Sequence, residues 1–201
     1  MGTYAESAFH ENTSERATPV RSKRLAFVAI FSSVVAVCTV IPGPLVPLPP
    51  PLYEITLAPA IYFSLAVMAN KWDAFAATAI GGFAGELFNV TTGGGSPIYP
   101  FGMIWARAPE VLIIAWAANK GRGTLAFSMV VATVYETFAF LVPDWLFYTY
   151  ALFGYAVGAG QTALGLALLD LGTLVDLAFI PVAFAIIAAA RPTFKRLGYA
   201  A

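Results

Sequence analysis

One cysteine, one histidine and 11% charged residues among 201 leave little material for most kinds of protein chemistry. Cys38 lies inside an apolar run, so the chain has neither a disulfide framework nor a cysteine pair for a metal. His10 lies in a polar N-terminal stretch, which removes a histidine proton relay, a histidine metal site and the usual catalytic triads. No Gly-x-x-x-x-Gly-Lys-Ser/Thr run is present to cradle a nucleotide. With no nucleophile, base or metal constellation in view, the expectation is a protein that is not an enzyme and uses no cofactor. Eleven Lys and Arg balance eleven Asp and Glu, so the net charge itself points to no partner, and no nucleic acid is expected.

Apolar residues fill the space. Hydrophobic side chains make up 59% of the sequence, with a mean hydropathy of +0.76, more than a soluble domain of this size can hide. They fall in segments near the ~20 residues that cross a bilayer as helix, without the alternation of a membrane barrel. The sequence therefore predicts an all-α integral membrane protein with six transmembrane helices, at about 25–41, 55–69, 74–90, 98–118, 124–142 and 162–190. The aromatic, glycine-rich stretch 143–161 reads as an interfacial or re-entrant segment. Residues 1–20 are polar and aperiodic, which predicts a disordered cytoplasmic tail without the basic start and short apolar core of a secretory signal. The remaining 21–201 form the transmembrane domain.

The cations test this layout. Six spans place Arg16, Arg21, Lys23, Arg24, Lys71, Lys120, Arg122, Arg191, Lys195 and Arg196 on one side and none in the opposite loops. By the positive-inside rule both termini are then cytoplasmic. A seventh crossing at 143–161 would carry the last three to the wrong side.

Arg107 is the cation left over, inside the fourth span. Intramembrane ionisable groups are costly, which makes each one a functional candidate unless it only pairs helices. At 1.5 Å of rise per residue, Glu86, Glu136 and Asp170 fall within about one helical turn of Arg107 in depth, close enough for its side chain to bridge. The expected substrate-binding set is Glu86, Asn89, Tyr99, Trp105, Arg107, Glu136 and Asp170. A purely structural Arg107/Glu86 or Arg107/Glu110 pair is the competing reading. Glu54 and Asp144 are expected nearer the rim. Pro109 frees the carbonyl of Trp105, which a neighbour, a water or a ligand must satisfy. Two strips of small residues, Ala29/Ser33 with Ser32/Ala36 on the first span and Ala77, Gly81 and Gly85 on the third, permit close helix contacts.

Several of these features together resemble a known family. The basic collar at Arg21, Lys23 and Arg24, the small-residue strip on the first span, the run YEITLAPAIYFSLAVMANKWDAFAA and the third span ending in GGFAGE before a Gly-rich loop are similar to the substrate-binding S component of energy-coupling factor vitamin transporters. The resemblance spans about 21–196. It implies a multi-pass protein of a prokaryotic cell membrane that binds a vitamin or related small heterocycle on its outer face. A transmembrane coupling subunit and two cytoplasmic ATPase subunits would energise uptake. It also implies that Ala29 and Ser33 face the coupling subunit, with Ser33 a departure from the family's Ala-xxx-Ala pattern. The proline-rich stretch 41–54 and the loop 93–97 would close over the ligand, with Trp105 or Tyr99 stacking on its ring. A proton-coupled carrier using Glu86, Glu136 or Asp170, and a non-transporting scaffold, are the alternatives.

Overall fold

The computed structural model describes residues 18–41, 56–92, 96–152 and 157–199. The polar tail, the proline-rich stretch with Tyr53 and Glu54, residues 93–95 and residues 153–156 lie outside the described residues. All regular structure within them is helical.

Six helical rods follow one another. The first three are α1 (Thr18–Val40), α2 (Ala58–Met68) and α3 (Lys71–Thr91). The fourth opens with the single turn α4 (Tyr99–Gly102), passes through a π-helical turn at Met103–Arg107 and continues as α5 (Ala108–Ala117). The fifth is α6 (Arg122–Thr149). The sixth starts as α7 (Ala163–Ala167), tightens to 3-10 geometry over Leu168–Phe179 and ends as α8 (Ile180–Arg196). Among the described residues, three stretches are long and apolar enough to cross a membrane: Arg21–Val40, Arg122–Thr149 and Ala163–Arg196.

Polarity is distributed inside out. Leu25, Ile30, Trp116, Phe127, Phe138 and Leu164 are exposed, while Glu86, Arg107, Glu110, Glu136, Asp144, Asp170 and Asp176 are buried. Water-soluble domains do the reverse, so this surface suits an apolar surrounding.

At one end of the bundle, Arg24 holds Asp73 through Nε and Nη2 at 2.7 to 3.1 Å, tying α1 to the first turn of α3. Asn70 starts that helix by accepting the Trp72 backbone N–H. Phe27 packs there against Phe194 and Tyr199, so the start of α1 and the end of α8 lie together.

α1 packs mainly along α3, and glycine makes the contact possible. A Cβ on Gly81 would strike the Ser32 carbonyl oxygen and lie 2.8 Å from Val35 Cβ; one on Gly85 would lie 2.7 Å from Thr39 Cβ. Of the two strips on α1, Ser32/Ala36 thus faces α3, and Ala29/Ser33 is left exposed. The Ser33 hydroxyl is returned to the Ala29 carbonyl at 3.0 Å.

The stretch 143–149 differs from expectation, because α6 runs straight through Pro143. Proline removes one N–H and frees the Ala139 carbonyl, but the Trp105 indole N–H donates to that oxygen at 3.1 Å. With the carbonyl satisfied, the helix need not break there, and it ends at Tyr150 with Ala151 at a φ of 47°.

Candidate functional site

The interior charge begins with Arg107. Ala108 donates its N–H five residues back to Met103, and this π-turn carries Arg107 into the bundle, where it is 7% exposed. Its Nε lies 2.7 Å from Glu136 Oε1 on α6, a contact of charge with charge rather than a well-aligned hydrogen bond. Nη2 lies 3.6 Å from Asp176 Oδ2, and Nη1 donates to the Tyr62 hydroxyl at 3.3 Å. Tyr62 in turn donates to Asp176 Oδ2 at 3.4 Å. Glu110, fully buried one turn beyond Arg107, accepts the Thr133 hydroxyl at 3.3 Å. One guanidinium therefore stands among three carboxyls drawn from three rods.

The 3-10 segment arranges the rest. Side chains three apart eclipse in that geometry, so Asp170, Thr173 and Asp176 form one inward row at ~2 Å of rise per residue. An α-helix would fan the same residues apart. The segment leads into Pro181, whose missing N–H strands the Leu177 carbonyl; Ile180 N–H bonds that oxygen instead. Thr173 meets Thr137 of α6, hydroxyl to hydroxyl, at 2.7 Å.

At the far end of the row, Asp170 accepts the Tyr99 hydroxyl at 2.9 Å on Oδ1. Asp144 of α6, 1% exposed, is its charged neighbour. The Tyr99 ring meets Phe140 edge-on at 5.6 Å. Gly102 lets α4 settle on α6 there, since a Cβ at this position would run into the Phe140 ring.

The expected single cluster is thus two. Arg107 and Glu136 come together as foreseen, but their third partner is Asp176 rather than Asp170, and Tyr62 and Glu110 complete the inner group. Asp170 and Tyr99 form the outer group with Asp144, which is buried rather than at the rim. Glu86 is 8% exposed, feels the Arg107 charge and accepts the Asn89 side-chain N–H at 3.3 Å. That pair stays on α3. The expected binding set left out Asp176 and Tyr62 and had Glu110 only in the competing structural pair, although a polar residue at every third position of 170–176 inside an apolar run was a readable sign.

Trp105 is occupied twice. Besides its indole bond to Ala139, its carbonyl, the one Pro109 frees, accepts the Tyr135 hydroxyl at 2.7 Å. A neighbour, not a ligand, fills that position. The two bonds clasp the fourth rod to α6 beside the inner cluster. Tyr135→Phe is expected to cost about 1 kcal/mol in equilibrium unfolding, because the Trp105 carbonyl then loses its donor. A neutral result would mean the carbonyl finds another partner.

No known family model matches the chain, and neither do any curated proteins or solved structures.

Proposed function

We propose that the chain is a multi-pass protein of a prokaryotic cell membrane, with six crossings and both termini cytoplasmic, that binds a vitamin or related small heterocycle for uptake. The carrying observation is that its polar chemistry is concentrated inside a bundle with an apolar exterior, in groups drawn from different rods and joined by one row of side chains. Pockets for small molecules combine apolar walls with a few placed polar groups, and the Tyr99, Phe140 and Asp170 region has that make-up. On the resemblance to energy-coupling factor S components, energy for uptake comes from a separate transmembrane coupling subunit and two cytoplasmic ATPase subunits; the sequence itself carries no nucleotide-binding loop.

The exposed Ala29/Ser33 strip is the surface assigned to the coupling subunit. Leucine at either position is expected to leave the thermal midpoint of the isolated protein unchanged and to reduce recovery of the assembled complex at least severalfold. Full recovery moves the coupling surface elsewhere.

The direct test is mass spectrometry of small molecules released when the gently purified protein is denatured. A heterocycle at near-stoichiometric yield supports the proposal. Lipid alone, after expression in vitamin-rich medium, removes it. A second reading, a proton-coupled carrier, is favoured by the excess of carboxyls around Arg107. Transport by the chain alone in vesicles, abolished by collapsing the proton gradient, would select it.

A further inference from the structure

Among the described residues, the cation of the two charged groups lies in the inner one. The sequence has 11 Lys and Arg, and among the described residues Arg107 is the one buried within the bundle. It is committed to Glu136 and Asp176. Asp170, 1% exposed, stands two rungs away along the 3-10 row. Its Oδ1 takes the Tyr99 hydroxyl, and its Oδ2 is buried with no hydrogen-bond partner among the described residues. The charged group it faces is another carboxyl, Asp144. A buried carboxylate oxygen beside a like charge is unfavourable unless it takes up a proton or another positive group joins it.

Two other features belong to the same elements. Tyr99, bonded to Asp170, is set edge-on against Phe140, and Phe147, 1% exposed, lies one turn beyond Asp144 on α6. Ser96, 8% exposed on the turn leading into Tyr99, has a hydroxyl with no partner among the described residues. Carboxylate with aromatic faces is the chemistry that recognises an organic cation. A hard metal ion would call for six or more oxygens, and the aromatic rings supply none but the Tyr99 hydroxyl. An anionic ligand would meet two acids.

We infer that the Asp170, Asp144 and Tyr99 site receives the positively charged group of an organic ligand, such as an amidinium, a protonated ring nitrogen or a quaternary nitrogen. The inference rests on the uptake reading and names the class of its substrate: a cationic heterocycle. Asp170 provides the opposing charge, Tyr99 orients that carboxylate, and Arg107 takes no part in contacting the ligand.

Benzamidine, benzamide and benzoate share a shape and differ in charge, so they serve as probes. The full chain in lipid nanodiscs is titrated with each, reading the thermal midpoint. Benzamidine is expected to raise it while the other two do not. Asp170→Asn is expected to raise the half-saturating benzamidine concentration roughly 10- to 100-fold, the range for a lost charge-assisted contact. Tyr99→Phe, which keeps the ring and both carboxyls, is expected to raise it by a smaller factor and guards against misfolding of the first variant. Stabilisation by benzoate equal to that by benzamidine, or an unchanged response in both variants, overturns the inference. The compound released on denaturation separates the two levels. A cationic one supports both readings. A neutral or anionic one overturns the charge class and leaves uptake standing. Release of none, with no stabilisation by any probe, overturns both.

Discussion

Arg107→Met is expected to destabilise the protein by about 3–5 kcal/mol, the usual result of removing one partner from a buried ionic group. Methionine nearly fills the space but leaves Glu136 and Asp176 facing each other without the guanidinium between them, and leaves the Tyr62 hydroxyl without its donor. Glu110 lies in the same low-dielectric interior. The measurement is equilibrium unfolding in mixed micelles, with monomer recovery after heating as a second readout. Adding Glu136→Gln to Arg107→Met should regain part of the loss, because it removes the charge nearest the vacated position. A cost below about 1 kcal/mol, or a double variant worse than the single one, would show that Arg107 is not what holds the carboxyls together. The expected effect on ligand binding follows from this one. Loss of binding in an arginine variant would report a weakened fold, and only the Asp170 and Tyr99 variants address the ligand directly.

The helical class and the boundaries of most rods were legible in the sequence, because they depend on hydropathy. The 3-10 segment was not. Nothing in apolar content distinguishes 3.0 from 3.6 residues per turn over LLDLGTLVDLAF; the inward period of three at Asp170, Thr173 and Asp176 does, once one asks which residues must avoid lipid. The π-turn at Met103–Arg107 had the same status. It rotates Arg107 relative to a straight α-helix, so ranking partners by depth alone found Glu136 and missed Asp176 and Tyr62. Depth arithmetic assumes uniform rise, and two of the rods that carry the site, the fourth and the sixth, depart from it. The proline at 143 was read as an interruption because its partner, the Trp105 indole, is 38 positions earlier in the chain. Satisfaction of a freed carbonyl is a tertiary fact. The small-residue strips were readable as contacts, but which of the two on α1 faces inward depends on the rotation of one helix against another.

That rotation makes the glycines of α3 the site of the second large effect. Gly81→Ala is expected to destabilise by about 1–3 kcal/mol, the range for overpacking, and Gly81→Leu to prevent the α1 to α3 contact altogether. The new Cβ would meet the Ser32 carbonyl oxygen, which belongs to the α1 backbone and cannot turn aside, so the helices must separate. Gly85 differs in an instructive way. Its nearest neighbours are the Cβ and Cγ2 of Thr39, at 2.7 and 2.9 Å, with the Ala36 carbonyl oxygen at 3.0 Å. Thr39→Gly opens space for a methyl group at Gly85, whereas no side-chain substitution on α1 opens space at Gly81. A double-variant cycle should therefore show Thr39→Gly offsetting part of the Gly85→Ala cost, after allowance for the intrinsic helix penalty of glycine. The same change should give no relief to Gly81→Ala. Equal behaviour at the two positions would mean that α1 slides along α3 rather than being held at one separation. The outcome bears on function, because Ala29 and Ser33 are presented outward only while Ser32, Val35 and Thr39 are held inward against these glycines. If α1 turns when α3 is widened, a complex that depends on the outward strip should assemble poorly in Gly81→Ala even where the isolated protein remains folded.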